Sequence, residues 1–124
     1  MATVDLTTES FERTVTDNDI VLVYFWASWC GPCKMFGPIY DEVAAANGDI
    51  VFGKIDTEAQ PELAQSFQVM SIPTLMIFKE QVAVFSQPGA IPKGSLEDLV
   101  AQVRNLDMDE VRAKLAEAQA ADAG

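Results

Sequence analysis

Ile20-Val21-Leu22-Val23-Tyr24-Phe25-Trp26-Ala27-Ser28-Trp29-Cys30-Gly31-Pro32-Cys33-Lys34 is an apolar run that ends in a tight turn holding two cysteines. From Ile20 to Trp26 there is no alternation of polar and apolar residues, and β-branched and aromatic side chains dominate. Such a run predicts a central strand covered on both faces. The turn leads into a helix, because Pro32 suits a first helical turn and Met35, Phe36, Ile39, Tyr40 and Val43 give a broad apolar face. Gly37-Pro38 falls inside that helix and is expected to kink it, since Pro38 removes one ladder hydrogen bond.

On either side of this unit, strands and helices alternate. Residues 8–17 predict a short helix with Phe11 and Val15 on one face and Thr8 or Thr7 as the cap. Asp49 to Asp56 reads as a second buried strand, and Glu58 to Phe67 as a short helix with Leu63 and Phe67 inward. Thr74 to Phe78 and Val82 to Phe85 read as a β-hairpin. Its turn, Glu80-Gln81, lacks the glycine that a two-residue loop prefers, so either the turn is strained or the loop is longer. Pro92 to Arg104 predicts an amphipathic helix with Leu96, Leu99, Val100 and Val103 inward. The pattern implies an α/β domain whose mixed sheet carries helices on both faces. Near Leu106 the composition changes to an Ala-, Glu- and Asp-rich tail. Asp107 can cap a helix there, with Met108, Val111 and Leu115 on one stripe, and nothing after Glu117 obliges it to stay folded.

The chain has 124 residues, enough for one domain with a buried core. Its net charge of −11 argues against nucleic acid or an anionic membrane surface as a main partner. The N-terminus, Met1-Ala2-Thr3-Val4-Asp5, lacks the basic and apolar regions of a signal peptide, and the run from Ile20 to Ala27 is too short to span a bilayer. A cytoplasmic location is expected.

There are two cysteines and no histidine. A Ser-His or Cys-His catalytic pair is therefore excluded. One C-x-x-C pair supplies two of the four ligands of a closed zinc site, so no metal and no cofactor is expected. The chemistry must come from the thiols. A thiolate is the nucleophile of disulfide exchange, and at a helix mouth Cys30 faces unpaired backbone N–H groups that favour the anion. Two intervening residues in a first helical turn bring Cys33 close enough to close a small ring.

The segment Trp26-Ala27-Ser28-Trp29-Cys30-Gly31-Pro32-Cys33-Lys34 resembles the active-site segment of thioredoxins. The resemblance continues at Pro38, at Ser71-Ile72-Pro73-Thr74, which is similar to the family's cis-proline loop, and at Gly89-Ala90. It runs from about Val4 to Asn105, which makes residues 1–105 a thioredoxin domain and 106–124 a C-terminal extension. It implies the thioredoxin fold, a central five-stranded mixed sheet, and reduction of protein disulfides. Cys30 would be the exposed nucleophile and Cys33 the more buried resolving thiol. Trp29, Gly31, Pro32, Ile72, Pro73 and Gly89 would form an apolar docking surface, with a cis peptide before Pro73. Trp26 would be core and support. The implied partners are disulfide-containing client proteins and a thioredoxin reductase, and a monomer is expected.

Two departures stand out. Thioredoxins usually place a buried Asp where this chain has Tyr24, and tend to place a Lys where it has Phe52. Replacing both members of a buried charge pair avoids stranding either charge. Lys54 shares a strand face with Phe52 and is a candidate to substitute in part. With a reference pKa near 10, Tyr24 is a poor base at neutral pH, so the resolving thiol's proton must be handled differently. Tyr24 either fills space or hydrogen-bonds Cys33 or a water. The second departure is the tail, either a loosely docked helix or a contact for a partner or second copy. The competing readings are a specialised redox protein or oxidant, a binding subunit without turnover, and a dimer bridging a metal or cluster.

Overall fold

Ile20–Trp26 forms the middle strand of a five-stranded sheet, and its neighbours explain its composition. The computed structural model describes residues 2–123, with side chains described to residue 120. Met1 and Gly124, where the N-terminal and tail readings began and ended, lie outside them. Along the chain run β1 (Thr3–Asp5), α1 (Thr8–Asp17), β2 (Ile20–Trp26), α2 (Gly31–Ala46) and β3 (Val51–Asp56). There follow α3 (Pro61–Ser66), β4 (Thr74–Lys79), β5 (Val82–Pro88), α4 (Lys93–Arg104) and α5 (Met108–Ala123). The sheet order is β1-β3-β2-β4-β5. Strands β1, β3 and β2 pair in parallel, while β4 runs antiparallel to both β2 and β5. This is the thioredoxin fold expected from the sequence.

Side chains alternate across a strand, so β2 feeds two cores. Leu22 and Tyr24 pack with Phe36, Tyr40 and Val43 of α2 and Leu96, Val100 and Val103 of α4. Val21, Val23 and Phe25 pack with Val15 of α1 and Leu63 of α3. Period-two packing with apolar layers on both sides gives the unbroken apolar run. On the outer side of β3, Leu6 sits so close to Gly53 that a Cβ there would overlap the leucine side chain.

Several boundaries differ from expectation. Strand β3 starts at Val51, not Asp49: the Ile50 amide turns back to Asn47 O, and Asp49 is drawn out to a two-pronged pairing with Arg104 of α4. Helix α3 starts at Pro61 because Asp56 Oδ1 holds the Glu58 and Ala59 amides in a local turn. It ends at Ser66, with Phe67 as its C-cap. Thr7 caps α1, in a reciprocal capping box with Ser10. Pro92 precedes α4 as its N-cap. Met35 was expected on the apolar face of α2 but is 74% exposed, because Phe36, Tyr40, Val43 and Ala44 set the buried side of the helix. β1 had no reading of its own; its place is set by pairing with β3.

The hairpin resolves to the strained alternative. Lys79 pairs with Val82, leaving only Glu80 and Gln81 in the turn, at φ of 50° and 69°. Both central residues thus take the left-handed region that a two-residue turn of this hand needs. A bulge between Ile77 and Phe78 shifts the β4–β5 register. Asp107 does cap α5, through Oδ1 to the Asp109 and Glu110 amides, but the helix continues past Glu117 to Ala123. Met108 is buried and Val111 half-buried, whereas Leu115 is exposed.

One buried side chain that sequence reading passed over ties these parts together. Lys79 Nζ donates to Val103 O at 2.8 Å, Arg104 O at 3.1 Å and Leu106 O at 3.2 Å. The ammonium thereby satisfies carbonyls at the C-terminus of α4 and sits at the negative end of that helix dipole. Nearby, Arg112 of α5 donates to Glu80 Oε1.

Candidate active site

The parallel strand β2 ends at Trp26, and the chain turns at once into α2. The Cys30 amide bonds Ala27 O at 3.2 Å, which folds the connecting residues back and makes Cys30 the N-cap of the helix. Pro32 stands in the first turn, where its missing N–H costs nothing. Cys30 and Cys33 are disulfide-bonded, with Cα atoms 5.2 Å apart, so this is the oxidised form. The Cys33 amide N–H points at Cys30 Sγ, 3.2 Å away. When the pair is reduced, that amide and the helix dipole stabilise a thiolate on Cys30.

The two sulfurs are not separated by exposure, contrary to expectation: both residues are 4% exposed. With the disulfide closed, Cys30 is drawn into the same apolar cluster as Cys33. Their surroundings separate them instead. Cys30 Sγ lies 3.7 Å from Ile72 O. Cys33 lines a groove behind the helix that Cys30 does not reach.

The residues expected to surround Cys30 come together from three loops. Ile72-Pro73 is cis, and Gly89 N donates to Pro73 O at 2.7 Å, which ties the β5 end to this loop. Gly89 has φ of 97°, a left-handed conformation that suits glycine. Trp29 is 69% exposed, Gly31, Pro32 and Gly89 are exposed, and Ile72 is half-buried. Pro73 is buried, so it shapes the surface from beneath without adding area to it. Met70, which was not expected here, is 93% exposed and borders a groove with Trp29, Val69 and Ile72.

On the far side, Tyr24 reaches up from β2. Its ring packs edge-on to Phe36 and tilted against Tyr40, and its hydroxyl donates to Cys33 O at 2.8 Å. Tyr24 thus both fills space and hydrogen-bonds, with the Cys33 backbone as its partner. Burial, with a smaller contribution from the charge of Asp41, pushes the Tyr24 pKa up to about 12. The Tyr40 hydroxyl, donated to Gly53 O at 2.8 Å, is raised well above its ordinary value, first by burial and then by Asp41.

A groove of about 290 Å³ opens beside these groups, walled by Tyr24, Trp26, Cys33, Gly37, Asp41 and Lys54 among others. Lys54 shares the strand face of Phe52, as expected, and its ammonium is 3.8 Å from Asp41 Oδ1 and 6.0 Å from the Trp26 ring centre. Trp26 is half-buried, and its Nε1 is buried without a hydrogen-bond partner. Asp41 was absent from the expected site. Its only sequence signal is helical spacing, eight residues beyond Cys33. Among the described residues, no three His, Cys, Asp or Glu side chains are grouped to hold a metal ion, and no helix is long and apolar enough to cross a membrane.

A family model described as thioredoxin matches residues 2–102. A Streptomyces coelicolor protein called "Putative thioredoxin 2" is 66% identical over 119 residues, covering 96% of this chain and 89% of that protein. Thioredoxin 1 of a Nostoc species is 44% identical over 97 residues, 77% of this chain and 91% of its own length. Among solved structures, Plasmodium falciparum thioredoxin superposes with a TM-score of 0.74 at 29% identity, covering 81% of this chain and 97% of that one.

Proposed function

The chain belongs to the thioredoxin family and is a protein-disulfide reductase, and we propose that Cys30 is its attacking thiol and Cys33 its resolving thiol. The observation that carries this assignment is the Cys33 amide aimed at Cys30 Sγ from the mouth of α2. In the reduced protein the Cys30 thiolate attacks one sulfur of a client disulfide. One client sulfur leaves as a thiolate and takes a proton from solvent, while the other stays bonded to Cys30. Cys33 then loses its proton and attacks Cys30 Sγ. The bond between Cys30 and the client breaks, the second client thiolate departs, and the Cys30–Cys33 disulfide forms. Two electrons have passed to the client.

Family membership implies disulfide-containing proteins as clients and a thioredoxin reductase that restores the dithiol. The client's backbone would lie along Ile72, whose carbonyl is next to Cys30 Sγ, with apolar side chains against Trp29, Gly31, Pro32 and Gly89. Pro73 supports this surface from below. Tyr24, Trp26 and Lys54 tune and brace the Cys33 side. The reading takes residues 1–105 as the working domain and 106–124 as an extension, and assigns a monomer acting in the cytoplasm.

The test is covalent trapping. Cys33→Ser, incubated with cell extract, should accumulate mixed disulfides on non-reducing gels that dithiothreitol releases. Cys30→Ser should accumulate few. Equal trapping by both variants would overturn the assignment. The wild-type protein should also reduce a generic protein disulfide when driven by NADPH and the cognate reductase.

A further inference from the structure

Resolution requires Cys33 to give up a proton while buried, and burial itself raises a thiol's pKa. Some group must accept that proton. The Tyr24 hydroxyl is already committed as a donor to Cys33 O, and its high pKa keeps it protonated. The Lys54 side chain is a donor to its neighbours and not an acceptor. The groove walled by Cys33 has a single carboxylate among its lining residues, Asp41.

We propose that Asp41 accepts the proton of Cys33 through water in the groove behind α2, with Lys54 as the residue that positions its carboxylate and Gly37 as the opening between them. The inference rests on Cys33 being the resolving thiol.

Cys33, Gly37 and Asp41 follow one another at four-residue steps, so they form a row along one side of α2. Side chains on a helix tilt toward its N-terminus, which leans Asp41 back toward Cys33. Eight residues at a rise of about 1.5 Å set their Cα atoms roughly 12 Å apart, too far for direct transfer. Between them stands Gly37, with no side chain, and nothing lies within 4 Å of where its Cβ would be. A groove of about 290 Å³ has room for several waters. Tyr24, Ser28, Lys34, Asp41 and Lys54 supply polar groups along its wall. Lys54 faces Asp41 from β3, its ammonium 3.8 Å from Oδ1, and the exposed Asp41 carboxylate borders the groove. Asp41 and Tyr24, whose hydroxyl bonds Cys33 O, border the same groove as Cys33.

The step balances without any other reactant. The Cys33 proton passes along water to the Asp41 carboxylate, the Cys33 sulfur keeps the electron pair and attacks Cys30 Sγ, and the client leaves as its thiolate. The Asp41 carboxylic acid then returns its proton to bulk water.

The experiment is an acid-quenched single turnover on a protein with one disulfide, following the mixed disulfide as it forms and decays. Asp41→Asn should form the adduct at the wild-type rate and let it decay about a hundredfold more slowly, the lower end of general-base effects. In Asp41→Ala, added formate should restore decay, because a small carboxylate can enter the vacated place. Gly37→Leu should slow decay with Asp41 intact, and formate should not restore it. Wild-type decay in Asp41→Asn, or failure of formate to rescue Asp41→Ala, would overturn the proposal. Cys33→Ser separates the two readings: if its adduct decays as fast as in wild type, the resolving role of Cys33 falls, whatever Asp41 does.

Discussion

At the position of Tyr24 the chain places a phenol beneath the dithiol, and the consequences can be measured. Tyr24→Phe keeps the ring cluster with Phe36 and Tyr40 but removes the hydroxyl donated to Cys33 O. The expected cost is about 1 kcal/mol in urea unfolding, the usual net worth of one hydrogen bond. The pH dependence has a definite sign. The Tyr24 pKa is higher in the folded state, about 12 against the ordinary 10.0, so its contribution to stability is full below pH 10 and is lost between about pH 10 and 12. Ionisation of this one group weakens the fold by about 1.4 kcal/mol per pH unit in that window. Tyr24→Phe should flatten that part of the alkaline unfolding curve, and an unchanged slope would show that Tyr24 does not control it. Tyr24→Asp should destabilise, because its carboxyl would enter the apolar layer of Phe36, Tyr40 and Phe52, a burial that Lys54, the register partner of Tyr24 on β3, offsets only in part. The departure at Tyr24 was legible in the sequence. Cys33 was among its expected partners, but the acceptor atom was not legible, because no spacing rule links a strand side chain to the carbonyl of a residue nine positions on.

Helix and strand identities followed from periodicity, whereas their ends were decided by groups that periodicity ignores. Asp56 Oδ1 delays α3 through two amides, and Arg104 draws Asp49 out of β3. The Glu80-Gln81 turn shows local preference giving way to the pairing of β4 with β5. Gln81 sits at φ of 69° without the freedom of glycine, and Glu80 pairs with Arg112. Gln81→Gly should therefore stabilise the hairpin by about 1 kcal/mol and leave that ion pair in place, as read by thermal denaturation. Lys79 acts at the same level. Lys79→Met keeps the stem's bulk but takes the ammonium from the Arg104 and Leu106 carbonyls and leaves Val103 O to the Leu106 amide. The expected loss is about 1–3 kcal/mol, with faster amide exchange in α5. A lysine at a strand end reads as solvent-facing in sequence, and only the packing of α4 behind it turns the ammonium inward.

Across the molecule, the dithiol, the cis-proline loop and Gly89 gather at one end of the sheet, while Lys79, the hairpin turn and α5 occupy the other. The C-x-x-C pair and the proline loop were legible because each is a short local pattern. Lys54 was a candidate in the sequence, but the groove that it shares with Asp41 was not legible, since it needs α2 laid over β3. Deleting residues 107–124 should leave disulfide-reductase turnover nearly unchanged while lowering stability by about 2 kcal/mol through loss of the buried Met108. A large fall in turnover with the protein still folded would place α5 within the working site.

The outer strands carry one more consequence. β1 is only three residues long, and β5 is bulged against its neighbour, ends at Pro88 and has α5 beside Val82, Ala83 and Val84. Short, irregular or covered margins deny a second chain a template on which to add its own strand. Removing α5 uncovers one margin and bares Val82 and Val84. The shortened protein should keep its chemistry yet scatter light and precipitate sooner on warming at high concentration. On this account the last helix guards against aggregation, a property invisible to any assay of turnover.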